Sequence, residues 1–121
     1  DLYSFLTSLG VHVVFNEIQR QFSMPYQTKT LVEQYSRYTY PYDVFSRVED
    51  IQEALRLRNV NGLIHYVQSF CHRHIHDRVI RKYIHLPILT LDCDRPGPLD
   101  GAMKTRIEAF VEMMRHNAVM T

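Results

Sequence analysis

The sequence predicts an all-α protein, a bundle of four to six helices or a short α-hairpin array with a Pro/Gly-rich loop before the last helix. Three observations predict it. Apolar residues recur at helical spacing along most of the chain. Two pairs, Thr30 with Glu33 and Ser46 with Glu49, have the spacing of helix-opening capping boxes. Three of the five prolines and two of the four glycines fall between Pro87 and Gly101, leaving the remainder little interrupted.

Taken in order, Leu2, Phe5, Leu6 and Leu9 mark one apolar face, and Val11, Val14, Ile18 and Phe22 continue with similar spacing after Gly10. This reads as two short helices or one helix flawed at the glycine, although the β-branched run VHVV also suits a strand. Met24-Pro25 ends the segment. Thr30 opens a helix carrying Leu31, Val32, Tyr35 and Tyr38, which Tyr40-Pro41-Tyr42 interrupts. Ser46 opens the clearest helix, with Val44, Val48, Ile51 and Leu55 on its face and Arg56 and Arg58 near its C-terminus, where cations are favourable.

Asn59 to Gly62 reads as a tight turn, with Asn61 as N-cap of a long helix from Leu63 to about Ile84 that Pro87 stops. Two helices so closely joined pack as an antiparallel hairpin, Ser46 to Ile84. The loop from Pro87 to Gly101 holds one short extended piece, ILTLD. Asp100 then caps a last helix whose face is Met103, Ile107, Phe110, Val111 and Met114.

At 121 residues the chain is expected to be one helical domain, long enough to bury a core. It starts at Asp1 without an initiator methionine or a signal-like segment, and so reads as a domain excised from a longer protein. No stretch approaches the roughly 18 apolar residues of a membrane span, so no membrane insertion is expected. The balance of 14 basic and 13 acidic residues, net charge +1, argues against a strongly basic nucleic-acid binder and against an acidic tail. Two cysteines, Cys71 and Cys93, make no disulfide framework and read as free thiols of an intracellular, reducing compartment.

The stretch SFCHRHIHDR is the densest in chemistry. On a helix it places His65, His72 and His76 on one face, and His74 toward the apolar side with Phe70 and Cys71. His72 and His76, at i and i+4, have the spacing of two zinc ligands on one helix, but a structural site needs four. Cys71 and His74 suggest a thiol–imidazole pair, yet no third group is available to orient it, and both read as core residues. Arg73, Arg78, Arg81 and Lys82 continue as a basic stripe able to hold phosphates.

The run ILTLDCDRPG resembles the nucleophile motif of haloacid-dehalogenase-type hydrolases and the metal-binding aspartate pair of some glycosyltransferases. Pro96 stands where those hydrolases usually carry Thr or Val, and only 27 residues follow Asp94. Asp92 and Asp94 therefore read as loop carboxylates.

The expected function is a non-enzymatic interaction or self-association module of a larger assembly, a scaffold whose partner is another protein or a second copy of itself. Its surface would use Met103, Met113, Met114 and Phe110 with Tyr38, Tyr40 and Tyr42, since Met, Tyr and Arg are enriched at protein interfaces. The second reading is an RNA- or DNA-binding domain using Arg73, Arg78, Arg81 and Lys82 with His72 and His76. The third is a zinc-stabilised domain with His72 and His76 as candidate ligands. No catalytic group and no cofactor-binding pattern is expected.

Overall fold

Between Leu63 and Cys93 the backbone forms a strand, a helix and a second strand, so the protein is mixed α/β and not the all-α bundle that the spacing predicts. The structure, a computed structural model, describes residues 1–18, 28–38 and 43–120. In chain order the elements are α1 (Leu2–Ser8), α2 (Leu31–Tyr38), α3 (Val44–Arg58), β1 (Leu63–Gln68), a 3₁₀ turn (His72–Ile75), α4 (His76–Tyr83), β2 (Ile88–Cys93) and α5 (Gly101–Met120). Two compact units divide the chain, one of Asp1–Val13 with Val60–Thr121 and the other of Val14–Asn59.

The long helix expected from Leu63 to Ile84, and with it the hairpin Ser46 to Ile84, is replaced by β1, the 3₁₀ turn and α4. The reason lies in LIHYVQ, which pairs in parallel with ILTLDC from Leu63↔Ile88 to Gln68↔Cys93. A short, largely apolar run such as LIHYV is one that periodicity alone does not separate from a helix. The short extended piece expected at ILTLD is thus the second strand of the sheet. Val11 to Asn16 adopt no regular structure.

In the first unit the core is Leu6, Leu91, Ile107 and Val111, with Leu2, Phe5, Ile64, Leu89, Met103 and Met114 packed against it. The expected faces of α1 and α5 therefore hold. Asp100 caps α5 as its spacing predicts, accepting the Met103 N–H at 2.8 Å. Gly62 lies where α5 passes close to the entry to β1. A Cβ there would collide with Met114 Sδ and stand 3.2 Å from the Phe110 ring.

In the second unit, Thr30 Oγ1 accepts the Glu33 N–H at 3.1 Å and opens α2 as expected. α3 differs in its cap. Asp43, and not Ser46, is the N-cap, accepting the Ser46 N–H at 2.7 Å. That backbone hydrogen bond holds the Asp43 carboxyl below its ordinary range. Asn59, in the left-handed conformation, closes α3, and Asn61 caps no helix. Beside Val48, Ile51 and Ala54, α3 also buries Arg47 and Asp50. The Arg47 guanidinium grips Glu17 with two hydrogen bonds of 2.6 and 2.8 Å.

Candidate functional site

Parallel strands carry their loops to a common edge, and in open α/β sheets ligands bind outside the carboxyl ends of the strands. Here those ends are Gln68 and Cys93, paired in register. The Ser69 N–H donates to the Cys93 carbonyl at 2.9 Å. The Ser69 hydroxyl donates to Asp92 Oδ1 at 2.7 Å, fastening the connection after β1 to β2. The Cys71 N–H then returns to the Gln68 carbonyl at 3.2 Å, closing a β-turn.

The third residue of that turn is Phe70, with φ at +65°. Turns with positive φ at this position favour glycine or asparagine, and the left-handed region costs other residues roughly 1–2 kcal/mol. Phe70 gains no packing in return, because its side chain is 99% exposed. Cys71, half-buried, follows it, and His72 opens the 3₁₀ turn.

A second cluster joins α4 to the sheet, on the face opposite Leu91. Asp77 Oδ1 accepts from His65 Nδ1 at 2.7 Å and from the Thr90 hydroxyl at 2.6 Å. Asp77 Oδ2 accepts from Arg81 Nε at 2.8 Å, and Arg81 Nη2 donates in turn to the Thr90 hydroxyl. Burial works against the Asp77 charge. The hydrogen bonds from Thr90, His65 and Arg81 and the Arg81 charge outweigh it, lowering the carboxyl to about 2. An ionised carboxylate only accepts, so the His65 tautomer carries its proton on Nδ1. On the other face a hydrogen bond with Cys93, followed by burial, raises the Tyr66 hydroxyl above its ordinary value.

The basic stripe is dispersed. Arg81 is engaged by Asp77 and Thr90, Lys82 lies 5.5 Å from the Tyr83 ring centre, Arg78 is exposed on α4, and Arg73 is half-buried in the 3₁₀ turn. His72 and His76 stand on either side of the junction between that turn and α4, not one turn apart on a single helix. Among the described residues, no three His, Cys, Asp or Glu side chains are grouped so as to hold a metal ion. Phe110 is buried, Met103 and Met114 pack against the core, and Met113 is exposed. Tyr38 is the last residue of α2, while Tyr40 and Tyr42 lie outside the described residues. Asp92 belongs to β2, and Asp94 follows it in an exposed bend. Both cysteines are free thiols, and the Cys93 thiol lies 3.7 Å from Met103 Sδ. Among the described residues no helix is long and apolar enough to cross a membrane.

Sequence reasoning missed Ser69, Phe70, His65, Asp77 and Thr90 as interacting residues. Only the pairing of β1 with β2 sets His65 beside Thr90. A helix from Leu63 would have sent Phe70 to the core, whereas the turn sends it to solvent.

A family model described as 2-hydroxyglutaryl-CoA dehydratase, D-component, matches residues 1–114. No curated protein and no solved structure matches the chain. The family match overturns the expectation of a non-enzymatic scaffold or self-association module, because it makes the function enzyme-associated. A protein partner agrees with a family described as one component of an enzyme, whereas nothing supports nucleic-acid binding or a homo-oligomer.

Proposed function

The chain belongs to the 2-hydroxyglutaryl-CoA dehydratase D-component family, and on that premise we propose that it works as part of a dehydratase acting on a 2-hydroxyacyl-coenzyme A thioester. The match over residues 1–114 is the observation that carries this reading. In such a reaction the C2–O and C3–H bonds break, a double bond forms between C2 and C3, and the hydroxyl leaves as water. The thioester carbonyl acidifies the hydrogen on C2, not the one on C3 that departs. A positioned base is therefore not enough, and a division of labour among components suits the chemistry.

Within this reading the carboxyl edge of the sheet, with Ser69, Phe70, Cys71 and Asp92, faces the substrate or the component that holds it. The general placement of ligands at this edge of α/β sheets supports that assignment. The free thiols of Cys71 and Cys93 suit a reducing compartment. The test is reconstitution. The full protein and the other dehydratase components are mixed with 2-hydroxyglutaryl-CoA, and mass spectrometry follows an acyl-CoA product lighter by one water. Turnover that requires this protein is the expected result. Equal turnover when it is left out overturns the proposal.

A further inference from the structure

The connection from α3 into β1 adopts no regular structure from Val60 to Gly62 and contains the dipeptide Asn61-Gly62. Of the four asparagines, Asn16, Asn59, Asn61 and Asn117, only Asn61 precedes a glycine. Its side chain is exposed, and among the described residues neither its carboxamide nor the Gly62 N–H has a hydrogen-bond partner. A carboxamide and the next backbone nitrogen are covalent neighbours, so they react with each other where nothing holds them apart. Glycine favours this most, because it has no side chain to shield the nitrogen and its backbone turns most freely. The other candidates are held. Asn16 Oδ1 accepts the Ile18 N–H at 3.1 Å, Asn59 closes α3 and precedes a β-branched valine, and Asn117 lies within α5. Asp100-Gly101 has the same spacing, but its carboxyl caps α5, accepting the Met103 N–H at 2.8 Å.

We propose that Asn61 is a site of spontaneous covalent modification, deamidating to isoaspartate and thereby loosening the entry to β1. The Gly62 nitrogen attacks Asn61 Cγ. The new C–N bond closes a cyclic imide, and ammonia leaves with the proton that the nitrogen gives up. Water then opens the imide. Addition at Cγ gives aspartate on the ordinary main chain. Addition at the main-chain carbonyl gives isoaspartate, whose main chain runs through Cβ and Cγ and is longer by a methylene. No oxidant or reductant is involved, and either product carries a new carboxylate. An exposed position tolerates that charge. The added methylene is another matter, because Gly62 has no slack. Met114 and Phe110 of α5 fill the space beside its Cα, and the next residue starts the strand pairing through the Leu63 N–H, which donates to the Pro87 carbonyl at 2.9 Å. Neither step involves the carboxyl edge of the sheet.

The experiment ages the full protein in neutral and in mildly alkaline buffer, beside the same protein unfolded in urea. Peptide mapping by mass spectrometry, with electron-driven fragmentation, distinguishes aspartate from isoaspartate at each position. Isoaspartate is expected to accumulate at Asn61 in the folded protein, faster at the higher pH because the attacking nitrogen must lose its proton. Asn16, Asn59, Asn117 and Asp100 should stay as they are. Asn61→Gln, whose longer side chain closes a ring less readily, should remain unconverted and keep its melting temperature when aged in parallel. Asn61→Asp carries the new charge without the added methylene, so the aged parent should melt below both the fresh parent and this variant. An Asn61 that survives in the folded protein, whether or not it converts in urea, overturns the proposal. So does conversion no faster than at the other asparagines. Aged protein rich in isoaspartate that melts together with Asn61→Asp overturns the loosening of β1.

Discussion

The two faces of the β1–β2 sheet are fastened by different forces. On one, Leu91 and Ile107 are fully buried with Leu6 and Val111 in an apolar cluster. On the other, buried Val67 shares its face with His65 and Thr90, which meet Asp77 and Arg81 of α4. Apolar burial is non-directional and insensitive to pH. A carboxylate with three donors is directional and depends on its charge. One sheet therefore carries a face that fails by losing volume and a face that fails by losing a proton or a partner.

Substitutions separate the two modes. The largest effect is expected from Leu91→Ala, since the side chain is 0% exposed. It should cost about 3–4 kcal/mol in urea unfolding at neutral pH, by lost transfer energy and the cavity left behind. The same cost should persist at acidic pH. A loss that shrinks on acidification would break the distinction between the faces.

Asp77→Asn comes next, at about 2–3 kcal/mol at neutral pH, because His65, Thr90 and Arg81 lose a charged acceptor. Its pH signature is more specific. The Asp77 carboxyl is lowered in the folded protein to about 2 from an ordinary 3.8. Its contribution is therefore complete above the ordinary value and is lost as pH falls from about 4 through about 2, amounting to about 2 kcal/mol. Unfolding measured across that range should show the decline in the parent and a flatter profile in Asp77→Asn. Equal slopes would remove Asp77 as the source.

Thr90→Val is the smallest of the three, at about 1 kcal/mol by the same unfolding measurement. It deletes the hydroxyl that donates to Asp77 and accepts from Arg81 while keeping the side-chain shape. Because Thr90 and Asp77 share one network, the Asp77→Asn Thr90→Val double variant should lose less than the two singles summed. Strict additivity would mean that the hydroxyl acts independently of the carboxylate.

The apolar face was largely readable beforehand, and the polar face was not. α5 announces itself through Asp100 and the spacing Met103, Ile107, Phe110, Val111, because a helix closes its hydrogen bonds locally and shows its buried side at a regular interval. The same logic reads α1 from Leu2, Phe5 and Leu6. His65, Asp77 and Thr90 lie on three different elements, and no spacing along the chain connects them. Their residue types were visible, but their meeting depends on the register of two strands. The carboxyl edge was hidden for the same reason. SFCHRHIHDR suggested a helix crowded with histidines, while the chain turns at Phe70 before the 3₁₀ segment begins.

What the sequence by itself determined, then, are the elements whose signals are local: α1, the start of α2 at Thr30, the body of α3 and the capped, amphipathic α5. Tertiary structure alone decided that LIHYVQ is a strand paired with ILTLDC, that Phe70 faces solvent, and that Asp77 gathers three partners. The physical reason is the reach of the interactions. Helical hydrogen bonds join residues four apart and leave a periodic trace, whereas a parallel pair is joined across a crossover between residues far apart in sequence and leaves no such local trace.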